Sequence, residues 1–527
     1  MTGYSNKLYL PARYSSESGV DAFRCLKLEP AMKQLQRAQR KRDSAQPQES
    51  KLPLYLKVAH QIEGQIRKGA LRIGDRVPSI RGLRRQQGVS VSTILQAYFW
   101  LENQGWIEPR PQSGFYVRAP FAELPPEPEF HASQSVPTEV GITGLLDEIV
   151  NSMGDRRYLP LGAAAASPAL YPNAKLNKII TKIARTNPEH SGRYELSHGL
   201  ETLRRQIARR AVAYGCTFSP NDLTITCGGM EALNLAVRAV ARPGDVIAIE
   251  SPTYFAVLQV IESLGMKAIE IPTHPRGGMD LEALSRAIRK HRVRGCITIA
   301  NCHNPLGFVL EDEYKKNLVG LLTKYDVPLI EDDIYGDVAF SAVRPKTVKT
   351  FDTEGIVLLC SSFSKVLSPG FRIGWIEAGR YRDAVRRLKF INTIAAPSLP
   401  QLAIAEFIQS GGYDRYLRTL RETLQHQGQV YSQAAARYFP EGTKISRPAG
   451  GFVLWLELPK NVDAMKLYRL ATLQHIMVVP GEIFSASGQF KNYIRISYGF
   501  PLDDTIEGAL CTLGKLCARA VSARSSI

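Results

Sequence analysis

Five short apolar stretches in the large C-terminal part of the chain each end in residues that can do chemistry. "LTIT" (223–226) runs into Cys227, Gly228, Gly229 and Met230, and "VIAIE" (246–250) into Ser251, Pro252, Thr253 and Tyr254. "CITIA" (296–300) leads to His303 and Asn304, "VPLIE" (327–331) to Asp332, Asp333 and Tyr335, and "IVLLC" (356–360) to Ser362, Ser364 and Lys365. Ligands of open α/β sheets bind beyond the carboxyl ends of the strands, so this order predicts one site fed by all five. Paired glycines before a helix let backbone amides approach an anion. A lysine at an apolar strand exit is costly as an ammonium, whereas its free amine attacks an aldehyde carbonyl. A nearby carboxylate can keep a ring nitrogen protonated, and hydroxyls with Arg372, seven residues on, can hold a phosphate. The set suits a phosphorylated aromatic aldehyde.

The elements that must position these residues are legible from about 155 onward, where short apolar strands alternate with helical stretches. That alternation predicts a parallel α/β sheet. Upstream lies a separate unit, 52–118. Leu54, Val58, Ile62 and Ile66 repeat every four residues along one helix face. Ser79 is placed to cap a helix from Ile80 to Gln87 that Gly88 stops, and Ser90 to cap the next. In that next helix Val91, Ile94, Leu95, Tyr98 and Leu101 form the expected buried stripe, leaving Ser92, Thr93 and Gln96 outward. "WIEPRPQSGFYV" reads as a hairpin with Gly114 in its turn. Residues 119–154 read as a linker because five prolines fall within 118–141. Residues 1–51 lack sustained periodicity and read as a poorly ordered extension, and 155–527 form the large domain.

Composition narrows the classes. With 44% apolar and 22% charged residues the chain is that of a soluble globular protein, and no apolar run is long enough to span a membrane. Eight cysteines without CxxC pairs read as thiols in a reducing cytosol, and no metal site is expected. Residues 51–118 hold eleven Lys and Arg against four Asp and Glu, and residues 1–50 nine against five, so +11 of the net +18 sits in the first 118 residues. A polyanion partner for that part follows.

The basic unit resembles the winged-helix DNA-binding domain of GntR-type regulators, whose pattern PSxRxLxxxxGVSxxTxxxAYxxLExxG it meets nearly throughout. By that resemblance Arg81, Thr93 and Gly114, with Arg110, sit where the family contacts double-stranded DNA, and Ser92 and Gln96 join them as candidates from the outward face of the helix. Val91 stands where the family is usually basic. From about 160 to 510, "HNPLG", "EDDIY", "SSFSKVLSPGFRIGW", "PAGGFVLWLELP" and "YIRIS" resemble the pyridoxal-phosphate (PLP) enzymes of the aspartate-aminotransferase fold. The resemblance implies that Lys365 forms the imine with PLP. It implies that Asp332 pairs with the ring nitrogen, Asn304 and Tyr335 hold the phenolate oxygen, and Tyr254 stacks on the ring. Gly229, Met230, Ser362, Ser364 and Arg372 would hold the phosphate, with Tyr194 reaching the partner subunit's phosphate. Arg495 would grip an amino acid's carboxylate.

Together the two halves resemble MocR-type regulators. The expected architecture is multi-domain, an N-terminal winged helix-turn-helix followed by an α/β PLP-dependent transferase domain of aspartate aminotransferase fold type I. The expected protein is a cytoplasmic, homodimeric transcription factor that binds PLP and senses an amino acid, an amine or PLP itself. An active aminotransferase carrying a vestigial winged helix is the alternative, and a cofactor-free dimerisation scaffold is the third reading.

Overall fold

The computed structural model describes residues 53–522 apart from 73, 104, 111–112, 118–123, 130–134, 154 and 156. The extension expected over 1–51 lies outside the described residues.

The reader unit has its own core. Helices α1 (Leu54–Arg67), α2 (Ile80–Gln87) and α3 (Val91–Asn103) pack with the hairpin β1 (Ile107–Arg110) and β2 (Gly114–Val117). Val58, Ile62, Leu83, Ile94, Tyr98, Leu101 and Val117 fill its centre. Ser79 Oγ accepts the Gly82 N–H at 3.0 Å, and Gly88 takes φ 66° beyond the last turn, so α2 starts and stops where its cap residues dictate. Ser90 Oγ likewise accepts the Thr93 N–H at 3.1 Å and starts α3. Two positions depart from the expected stripes. Val91 is 40% exposed and Leu54 54% exposed, because each opens its helix, where the first turn overhangs the core.

The large domain is built on a mixed sheet, not an all-parallel one. Its strands are β3 (Pro137–Glu139), β4 (Leu223–Thr226), β5 (Val246–Ser251), β6 (Lys267–His274), β7 (Val293–Thr298), β8 (Leu329–Asp332), β9 (Val357–Ser362) and β10 (Gly374–Glu377). They lie in the order β3-β6-β5-β7-β8-β9-β10-β4, with Gly278–Met279 paired on β6. The five central strands β6, β5, β7, β8 and β9 are parallel, and β3 and β10 run against them. Central strands buried on both faces read as continuous apolar runs. Register then lines up the chemistry. Asp332 pairs opposite Cys360, Ser362 opposite Gly374, and Gly374 opposite Thr226, so four neighbouring strands deliver their site residues at one edge. A second, antiparallel sheet of β11 (Lys444–Ile445), β12 (Val453–Glu457), β13 (Val479–Pro480) and β14 (Tyr493–Ser497) carries Arg495 at the centre of β14.

Residues 137–153, expected within the linker, belong to the large domain instead. Ile142, Leu146 and Ile149 recur at helical spacing, and helix α4 (Thr143–Met153) buries Leu146 and Ile149 in the large core. The prolines of 124–129 do lack regular structure. No helix among the described residues is long and apolar enough to cross a membrane, and no cluster of His, Cys, Asp and Glu there could hold a metal. The seven described cysteines are free thiols.

Candidate functional site

A cavity of about 180 Å³ opens at the strand ends. Gly229, Met230, Tyr254, Asp332, Ser362, Ser364, Lys365 and Arg372 line it together with Ala165, Leu233, Ile334 and Pro369. Lys365 follows β9 by three residues, and its Nζ donates to the Ala164 carbonyl at 2.7 Å. Burial depresses this amine to about 8, helped by the cations Arg495 and Arg372 and opposed by Asp332. Asp332 ends β8 and is 6% exposed. Burial, with the charges of Asp333 and Glu250 behind it, pushes its carboxyl up to about 7. Asp333 itself is committed elsewhere, to Arg344 and to Asn301 Nδ2.

Arg495 is almost wholly buried, and its Nη1 donates to Asn304 Oδ1 at 3.0 Å while Nη2 donates to the Gly162 carbonyl at 2.6 Å. Its guanidinium lies 5.2 Å from the Phe484 ring centroid. Two buried donors here, Asn304 Nδ2 and Arg495 Nε, have no protein partner. Tyr335 is buried against the edge of Phe452, and desolvation holds its hydroxyl well above the ordinary phenol range.

The anion end is built from three segments. Helix α5 (Gly229–Val240) presents the Gly229 and Met230 amides at its N-terminus. Arg372 Nη1 donates to Ser364 Oγ at 3.1 Å, and Ser362 Oγ stands 3.0 Å from Ser364 Oγ. A Cβ on Gly229 would meet Ser362 Cβ and Ile334 Cγ2, both at 3.3 Å, so this position offers only its amide. Tyr194 is 83% exposed and is not among the residues lining the cavity.

Sequence reasoning missed the floor. The Ala164 and Gly162 carbonyls accept from Lys365 and Arg495 while Ala165 lines the cavity, and the run "LGAAAAS" that brings them close carried that signal in its small residues. On the reader, Ser92 and Gln96 are exposed near the start of α3, Thr93 is half-buried and Arg81 is exposed. Arg110 closes β1 opposite Gly114, and its side chain lies outside the described set. Arg76 is a further cation there, its guanidinium 3.4 Å from where a Gly114 Cβ would be.

The cavity's chemistry fits PLP. An amine with a depressed pKa, an acid awaiting a cationic partner, an unpartnered amide donor and a hydroxyl–guanidinium–amide cradle are the groups that cofactor needs.

A family model described as aminotransferase class I and II matches residues 169–509, and one described as bacterial regulatory proteins, gntR family, matches residues 54–117. The chain is similar to two HTH-type transcriptional regulators of Escherichia coli K12. YjiR is 37% identical over 89% of this chain and 99% of that protein, and YdcR 37% identical over 88% and 98%. Among solved structures, the multiple substrate aminotransferase of Thermococcus profundus aligns with a TM-score of 0.67 at 25% identity, over 72% of this chain and 95% of that one. The α-aminoadipate aminotransferase LysN of Thermus thermophilus, complexed with N-(5'-phosphopyridoxyl)-L-leucine, aligns at 0.66 and 26%, over 72% and 95%. With both halves matched and the likeness running nearly end to end, the chain belongs to the MocR-type regulators, a gntR-family winged helix joined to an aminotransferase class I and II domain.

Proposed function

We propose that this protein is a cytoplasmic transcriptional regulator. Its reader, 52–118, binds double-stranded DNA, and its large domain binds PLP and senses an amino acid or amine. The observation that carries the reading is the facing pair in one cavity, an amine lowered to about 8 and an acid raised to about 7. Neither shift serves folding, and each suits a ligand with an aldehyde and a basic ring nitrogen. The names of YjiR and YdcR, and the phosphopyridoxyl adduct held by LysN, support the same assignment.

PLP, once bound, supplies an electron-withdrawing ring that makes an attached amine's α-carbon acidic. This chain's residues do the rest. Lys365 would offer a neutral amine to the aldehyde, and Asp332 would keep the ring nitrogen protonated. Asn304 and Tyr335 would hold the phenolate oxygen, and Tyr254 would lie against the ring. The Gly229 and Met230 amides, Ser362, Ser364 and Arg372 hold the phosphate. Arg495 orients an effector's carboxylate through its fork. A homodimer agrees with the exposed apolar surface at Tyr194, Leu196, Phe390 and Ile391, which a second copy would cover.

On the reader, the exposed cations Arg81, Arg84 and Arg85 set affinity through phosphates. Arg110 and Gly114 on the hairpin, with Ser92, Thr93 and Gln96 on α3, complete the face. Footprinting on promoter DNA, with and without PLP and a panel of amino acids, tests the assignment; no protection under any condition overturns it. Lys365 and Arg495 together also support a transaminase reading, because both groups that reaction needs are present. Turnover of amino acid and oxo acid that Lys365→Ala abolishes, with DNA binding kept, would establish that activity.

A further inference from the structure

Behind the anion end of the cavity sits an ion pair that none of the residues named so far explains. Glu231, in the first turn of α5, is 9% exposed and bends back over the turn that precedes its helix. Its Oε2 accepts the Cys227 N–H at 2.6 Å and Lys389 Nζ at 2.8 Å, and its Oε1 accepts Thr393 Oγ1 at 2.6 Å. Lys389 and Thr393 lie on helix α6 (Arg382–Thr393), and the Lys389 ammonium is fully buried. On the other side of the same turn the Cys227 carbonyl accepts Arg372 Nη2 at 3.4 Å. Gly228, at φ 88°, leaves the space in which that guanidinium lies. The turn 227–229 is therefore gripped from behind by a carboxylate and from in front by an arginine that lines the cavity.

A carboxylate in the first turn of a helix competes with a phosphate for the same positive amide end. Left alone, it would repel a dianion arriving at Gly229 and Met230. A buried ammonium in direct contact removes that repulsion and holds the carboxylate where it can fix the Cys227 amide. We infer that Glu231 and Lys389 are positioning residues for the phosphate group of the ligand. The carboxylate sets the Cys227–Gly229 turn, and the ammonium holds and neutralises it. The inference rests on the reading that a phosphate binds at Gly229 and Met230.

Pyridoxal, which has the ring and aldehyde of PLP but no phosphate, separates this role from mere packing. The readout is the ratio of the two dissociation constants, taken from visible absorbance titrations of the full-length protein. Lys389→Met is expected to weaken PLP at least about tenfold and leave pyridoxal within about twofold, because it strands a buried negative charge beside the phosphate. The double variant Glu231→Gln/Lys389→Met carries no charge and keeps an acceptor for Cys227. Its preference for PLP should stay within about threefold of the parent, whereas Glu231→Ala/Lys389→Met, lacking the acceptor, should lose it. If Lys389→Met does not fold, the comparison of the two double variants decides. Equal loss of both ligands, an unchanged ratio in Lys389→Met, or identical double variants overturns the inference. A parent protein that binds neither compound overturns the cofactor assignment instead, and so is told apart.

Discussion

Lys365 and Asp332 carry opposite shifts, and the signs fix how the ligand-free site responds to pH. The acid is raised to about 7, so its favourable contribution to folding is full below its unfolded pKa of about 3.9 and gone above about 7. The amine is lowered to about 8, so its contribution is full above about 10.4 and gone below about 8. Between about 7 and 8 neither group stabilises the fold. Asp332→Asn is therefore expected to raise the melting temperature of the PLP-free protein at pH 8 and to do so far less at pH 5, where the acid is already protonated; calorimetry at both values checks this. Capture of PLP needs the free amine. Its rate, read as growing visible absorbance, should rise about tenfold per pH unit below about 8 and level off above it. Lys365→Ala should remove the borohydride-fixable linkage and leave DNA binding unchanged. The lysine and the acid were legible in the sequence because each follows an apolar strand. Their partners were not, since the Ala164 carbonyl lies 201 residues from Lys365, and Lys389 lies 158 residues from Glu231.

At the scale of elements, strand ends are where expectation and structure part. β8 extends through Asp332 and β9 through Ser362, because pairing with neighbours continues past the last apolar residue. Apolar runs mark where a strand is buried, and hydrogen bonds mark where it stops. The antiparallel direction of β10 was likewise invisible, since "GWIE" reads the same either way. That strand has a use. A Cβ on Gly374 would meet the Gly228 carbonyl carbon at 2.5 Å and the Gly229 nitrogen at 2.8 Å, so β10 packs its backbone directly against the phosphate turn. Gly374→Ala is expected to cost roughly 1–3 kcal/mol through overpacking and to weaken PLP more than pyridoxal, checked by denaturant melts and titration. In the reader, cap signals placed α2 to the residue. Ser79→Ala should lower that domain's stability by about 1 kcal/mol and weaken DNA binding only through it, which a melt of the reader transition measures.

Across the whole molecule, the proline-rich segment after the reader is anchored and not free. Its composition excluded regular structure but said nothing of where it docks. The Ile445 N–H donates to the Pro126 carbonyl at 2.9 Å, the Glu129 N–H donates to Glu457 Oε2 at 3.0 Å, and Arg447 holds the Pro125 carbonyl. Lys444 sits between Glu129 and Glu457 at 2.6 and 3.2 Å, while Glu127 pairs with Arg276 at the end of β6. Residues 124–129 thus touch both sheets of the large domain, the one carrying Lys365 and the one carrying Arg495. An effector held between those two side chains, as proposed above, would draw on both sheets and so load this segment. Couplings of about 1–3 kcal/mol are enough to change operator occupancy. Lys444→Ala removes the cation that bridges the Glu129 and Glu457 carboxylates and should loosen the segment. Hydrogen exchange at the Glu129 and Ile445 amides should quicken, PLP affinity should stay as in the parent, and the change in DNA affinity caused by an amino acid should shrink. If exchange quickens while the amino acid's effect on DNA binding keeps its full size, the signal does not travel along this segment.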